Sequence, residues 1–146
     1  MTRIYPGSFI VALVLAPLTI SLPALALAWL LEASGGIPTG LNIVMVIAFA
    51  SAIFGAPTYL TFGTGFFIMI LKRSAAVTPL NFAVAGFVAN MVSIPVVAAF
   101  SAATGGNSLA TIYFYNGFGA IFAPLWGAIF AALYFRFSRN TRQTPA

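Results

Sequence analysis

The six basic side chains of this 146-residue chain fall in three short stretches, Arg3, then Lys72 and Arg73, then Arg136, Arg139 and Arg142, with long apolar runs between them. Strongly hydrated side chains stay out of a hydrocarbon core, and Lys and Arg collect at the cytoplasmic ends of membrane spans. An even number of crossings must then separate each stretch from the next. Apolar runs at 8–31 and 41–71 lie between the first two clusters, and runs at 77–103 and 109–135 lie between the last two. The pattern predicts an all-α membrane protein with one domain of four transmembrane helices, about 8–32, 41–71, 77–103 and 109–137, followed by a polar tail at 138–146. Both termini and the Lys72 loop are expected on the cytoplasmic side.

Composition leads to the same class. Hydrophobic residues make up 62% and charged residues 5% of the chain, and mean hydropathy is +1.07, whereas an average soluble domain carries about 25% charge. A span needs about 20 apolar residues, at about 1.5 Å each, to cross about 30 Å of hydrocarbon. All four runs reach that length. The net charge of +5 is not a nucleic-acid signal, because the basic residues flank spans and form no continuous stripe. Their expected partner is the lipid bilayer itself, through its anionic leaflet. Pro23-Ala24-Leu25-Ala26-Leu27-Ala28 after Arg3 imitates a cleavable leader, but the apolar run continues through Trp29 to Leu31, so it is read as a retained span. The chain has no cysteine, which excludes disulfides and thiolate metal sites.

The second half of the sequence echoes the first. Ser21-Leu22-Pro23 matches Ser93-Ile94-Pro95, Ala33-Ser34-Gly35-Gly36 matches Ala103-Thr104-Gly105-Gly106, and Ala52-Ile53-Phe54-Gly55-Ala56-Pro57 matches Ala120-Ile121-Phe122-Ala123-Pro124. A large aromatic, Tyr59 or Trp126, follows two residues past each of the last two prolines. These echoes suggest two tandem helical hairpins related by a parallel repeat about the membrane normal. Prolines 23, 57, 95 and 124 all fall inside spans, where each removes a hydrogen bond and favours a kink. Thr19, Ser21, Thr58, Thr61, Asn90 and Ser93 are near enough in sequence to cover the freed carbonyls.

Small residues mark packing faces. Gly119, Ala123, Gly127 and Ala131 recur every four residues in the fourth span, and Ala48, Ala52 and Ala56 do so in the second. That spacing keeps one face aligned and lets backbones approach closely. A contact between these two stripes within one chain is the favoured pairing; contact between chains is the alternative. Trp29, Tyr113 and Tyr115 are placed at the outer aromatic belt, and Tyr5 and Tyr134 at the inner one. Tyr59 and Trp126 fall near mid-membrane, either as core aromatics or as walls of a midplane pocket shared with Asn90 and Ser93. Asn90, the deepest amide, is read first as glue between helices.

Catalytic chemistry is not assembled by this alphabet. His, Asp and Cys are absent and Glu32 is the single carboxylate side chain, so no catalytic residues, metal ligands or cofactor site are assigned. Glu32 itself is a solvated acid at the outer end of the first span or, in the alternative, a proton or cation site. Thr61-Phe62-Gly63-Thr64-Gly65-Phe66 resembles the threonine and phenylalanine motif of small fluoride channels over those six positions alone. It lies in the second span rather than the third and lacks the arginine motif expected in the first, so no function is carried over. In layout the chain resembles the uncharacterised small four-span inner-membrane proteins of bacteria, a likeness without a diagnostic motif. The expected function is that of a non-enzymatic four-helix bundle acting through packing against another membrane protein or as a homo-oligomer. The alternative is a small transporter or channel with its site between the two hairpins.

Overall fold

A computed structural model describes residues 4–36, 39–73 and 77–143. Among these residues there is no strand, and four helices are long and apolar enough to cross a membrane. Helix α1 is Pro6–Ala33, α3 is Pro79–Ala103 and α4 is Ser108–Gln143. Helix α2, the span Gly40–Arg73, is assembled from Thr39–Phe54, Ala56–Thr58, a π-helical turn at Tyr59–Gly63, and Thr64–Arg73. Helix α4 continues to Gln143, so the polar segment expected at 138–146 is helical over its first residues. Arg3 lies outside the described residues, as does the side chain of Arg142. The exposed Lys72, Arg73, Arg136 and Arg139 share one end of the bundle, and exposed Glu32 lies at the other.

The helix ends follow from local chemistry. Pro6 and Pro79 open the first turns of α1 and α3, where a missing N–H costs nothing. Asn81 N–H donates to the Thr78 hydroxyl at 3.4 Å, which caps α3. Helix α3 closes on Gly105 at φ +71°, with Gly106 N–H donating to the Ser101 carbonyl at 2.8 Å. This left-handed glycine cap satisfies a terminal carbonyl and reverses the chain.

Burial is lopsided along the membrane normal. Near the basic end all four helices contribute to one aromatic core: Phe9 from α1, Tyr59 and Phe67 from α2, Phe82 from α3, and Trp126, Phe130 and Tyr134 from α4. Phe67 and Phe130 stack at 4.7 Å, and Phe9 meets Phe130 edge-on at 5.1 Å. Toward the other end α3 and α4 stay joined and Phe54 of α2 packs on Phe114, Tyr115 and Phe118 of α4, while α1 buries no residue beyond Ser21. The outer parts of α1 and α2 enclose an apolar groove of about 290 Å³ lined by Ala24, Ala28, Met45 and Phe49 among others. The remaining surface of each helix is large and apolar, including Ile10, Val44, Val92 and Ile121. In lipid such residues gain nothing from burial, so small residues and dispersion decide which faces meet.

Small residues bring α3 and α4 together. A Cβ on Gly127 would run into the Phe82 carbonyl, one on Gly86 into the Ala123 carbonyl, and one on Gly119 into the Asn90 side chain. Each step of four along α4 is thus matched by a step of four back along α3. The α4 stripe therefore meets α3 and not the alanine stripe of α2, which differs from the pairing favoured by sequence. Helix α3 presents its own small face there, with Ala85, Gly86, Ala89, Asn90 and Ser93 buried. Ala48 and Ala52 are half-buried and Ala56 is in the core. Helix α2 reaches α4 instead through Gly55, where an added Cβ would lie 2.9 Å from the Trp126 ring.

Of the four prolines singled out, only Pro57 accompanies a break. Pro23, Pro95 and Pro124 lie within continuous α-helix, as does Pro17. Around Pro57 the helix is interrupted at Gly55 and then widens into the π-turn. Nearby hydroxyls bond carbonyls three or four residues back, Thr58 to Gly55, Thr61 to Pro57 and Thr64 to Leu60. Ser21 does likewise to Pro17 and Ser93 to Asn90. None of these is the carbonyl four residues before a proline, so the hydroxyls shield neighbouring carbonyls instead. The break in α2 has no counterpart at Pro124, and the open α1–α2 pair contrasts with the closed α3–α4 pair. In these features the repeat suggested by sequence is not visible.

Candidate functional site

The four residues proposed for a midplane pocket resolve into two separate groups. Asn90 and Ser93, at 1% and 0% exposure, belong to an amide clamp between α3 and α4. Asn90 Nδ2 donates to the Asn116 carbonyl at 2.9 Å, and Asn116 Nδ2 returns a bond to the Asn90 carbonyl at 2.8 Å. Asn116 Nδ2 also donates to Ser93 Oγ at 2.7 Å, while Ser93 Oγ donates to the Asn90 carbonyl at 2.7 Å. Gly119 makes room for this arrangement, since any side chain there would displace the Asn90 amide. The clamp uses most of its own polar capacity and seals the α3–α4 seam.

Tyr59 and Trp126 form the second group. Their rings meet edge-on at 5.4 Å, and Tyr59 also packs edge-on against Phe67 at 5.6 Å. Local sequence places them: Trp126 rests on the bare backbone of Gly55, and Tyr59 is buried where the π-turn begins, one turn after Gly55. No hydrogen bond or ring contact links this pair to the Asn90 group. Among the described residues the Tyr59 hydroxyl, Trp126 Nε1 and Asn116 Oδ1 are buried without a hydrogen-bond partner. The two grooves at the bundle surface are lined by other residues. We expect Tyr59→Phe to leave stability unchanged or to raise it by up to about 1 kcal/mol, because it removes a hydroxyl that has no partner. Chemical unfolding in detergent micelles reads this directly, and a clear loss would mean that a bound solute or water holds the hydroxyl.

The other residues take plainer positions. Gly119, Ala123, Gly127 and Ala131 are buried on the α3–α4 side of the bundle or in its core. Trp29 and Tyr113 are 73% and 76% exposed. Tyr134, expected at the inner belt, is instead buried against Phe9 and Phe130, and its hydroxyl accepts the Tyr5 N–H at 3.4 Å. Among the described residues no cluster of His, Cys, Asp and Glu could hold a metal. Two contributors were not selected from sequence, Asn116 and Gly86. The signal was available in α3, where 82, 85, 86, 89, 90 and 93 follow helical spacing and five of the six are small or polar.

On a different face, α2 turns small residues outward. Pro57, Thr61 and Gly65 are exposed at four-residue intervals, and a Cβ added at Gly65 meets nothing within 4 Å. This face is unused inside the chain. Compared with known proteins, the chain matches no family model, no curated protein and no solved structure.

Proposed function

We propose that this integral membrane protein is not an enzyme and acts through helix packing within the bilayer, against another membrane protein or a second copy of itself. The observation that carries the reading is the exposed Pro57, Thr61 and Gly65 face of α2. The small-residue stripes of α3 and α4 are consumed inside the chain, whereas this set remains open at a depth where loops are excluded. A photo-crosslinking side chain at Gly65 should yield a discrete protein adduct in native membranes. The same probe at Val92, an exposed lipid-facing position on α3, should yield none. Equal yields at both positions would remove the case for this face.

The transporter alternative is weaker on this geometry. Its midplane residues are split into two groups, and the amides are used in the clamp. Charge placement supports a sidedness in which both termini and the Lys72 loop are cytoplasmic, and the layout supports a bacterial inner membrane. Single cysteines at Ser34 and Thr104 should label from outside intact cells, and one at Arg139 only after permeabilisation. External labelling at Arg139 would reverse the assignment.

A further inference from the structure

At the basic end, the last turns of α2 and the first turn of α3 enclose a shallow groove of about 330 Å³ lined by Met69, Ile70, Arg73 and Asn81. Arg73 is exposed there, beside exposed Lys72. The one carboxylate side chain of the protein, Glu32, lies at the end of α1 on the opposite side of the bundle. A basic cluster with no acid at its own end is complementary to an anion. Lys72 and Arg73 also terminate the apolar length of α2, so the groove straddles the boundary between hydrocarbon and headgroups.

The lining changes chemistry across that boundary. Arg73 and Asn81 supply polar atoms on the headgroup side, while Met69 and Ile70, three or four residues deeper in α2, supply apolar surface. A guanidinium presents paired N–H donors that match phosphate oxygens. We propose that this groove binds an anionic phospholipid, with the phosphodiester on Arg73 and the first acyl methylenes along Met69 and Ile70. A zwitterionic lipid brings an ammonium that finds no carboxylate at this end, whereas a net-negative headgroup gains from both Arg73 and Lys72. A soluble phosphate ester would use the polar half alone and forgo the contact with Met69 and Ile70. The site goes beyond general attraction to an anionic leaflet because it assigns the headgroup to one arginine out of four described cations.

Native mass spectrometry of the full chain in detergent tests the assignment. The probes are phosphatidylglycerol, phosphatidylcholine with the same acyl chains, and glycerol 3-phosphate. Phosphatidylglycerol should bind in preference to both. Arg73→Gln should weaken that binding about tenfold, which corresponds to about 1.4 kcal/mol, with Arg73→Lys intermediate. Arg139→Gln, which removes an exposed cation outside the groove, should change it less than about twofold. If Arg73→Gln proves poorly folded, the Arg73→Lys and Arg139→Gln comparison decides. Equal losses at Arg73 and Arg139 would show diffuse attraction and overturn the site. So would equal binding of phosphatidylcholine, or binding of glycerol 3-phosphate as tight as that of the lipid.

Discussion

Gly127→Leu is expected to destabilise the bundle by about 3 kcal/mol, the upper end of the usual range for overpacking. The glycine sits where a Cβ would run into the Phe82 carbonyl, and a backbone carbonyl in a continuous helix cannot step aside as a side-chain tip can. Relief requires α3 and α4 to separate. Separation would loosen the register shared by Gly86, Asn90 and Gly119 and disturb Phe82, whose ring contacts both Phe67 and Phe130. Gly117→Leu is the control in the same helix, because a Cβ there meets nothing within 4 Å. It should be nearly neutral, with a small gain from replacing glycine in a helix. Ile129 is a poorer control, being half-buried against the core. Unfolding of both variants in mixed micelles gives the comparison. Similar losses at 117 and 127, or none at either, would show that α3 and α4 do not touch along this stripe.

Asn116→Leu should cost about 1–2 kcal/mol, since amide bonds between membrane helices average about 0.6 and reach about 1.7 kcal/mol. The substitution removes the donor to the Asn90 carbonyl and to Ser93 Oγ. It leaves the bond from Asn90 Nδ2 to the Asn116 backbone carbonyl available. Asn90→Leu removes that bond in turn, together with the longer 3.4 Å contact between Asn116 Nδ2 and Asn90 Oδ1, but leaves the Asn116 bonds to the Asn90 backbone carbonyl and to Ser93 Oγ. The two side chains touch each other only through that longer contact, each otherwise clasping the other residue's backbone, so the double variant should lose nearly the sum of the singles. A double-mutant cycle measures the difference. A shortfall of more than about 1 kcal/mol would mean that the two amides bond each other directly instead of each clasping the other's backbone.

Both effects lie on the seam between α3 and α4, and the seam shapes the functional reading. The amides Asn90 and Asn116 are spent largely on one another, whereas the Tyr59 hydroxyl and Trp126 Nε1 are buried without a hydrogen-bond partner. The uncommitted surfaces of the bundle are the Pro57, Thr61 and Gly65 face, the apolar groove between the outer parts of α1 and α2, and the basic groove at Arg73. All three lie on the outer surface of the bundle.

The number and extent of the spans were legible in the residues because they depend on a transfer energy that is nearly additive along the chain. Leucines, valines and phenylalanines favour hydrocarbon wherever they stand, and Lys72, Arg73 and Arg136 resist it wherever they stand. Small-residue stripes were legible for a related reason, since four-residue spacing keeps one face aligned in any helix. Which stripe met which was decided only in three dimensions. Gly119, Ala123 and Gly127 carry the same spacing whether they face Ala48 and Ala52 or Gly86 and Asn90, and close packing depends on the register and shape of both partners together. The candidate pocket divided because the register of α3 on α4 sets Asn90 beside Gly119 and Phe82 beside Gly127, so Trp126 lies about 10 Å along α4 from the amide clamp, at about 1.5 Å per residue. Azimuth around each helix is another matter. The π-turn at Tyr59–Gly63 adds a residue to one turn of α2 and shifts every side chain after it, so the direction of Phe67 was set by a backbone irregularity and the place of Trp126 by the seat that Gly55 offers it.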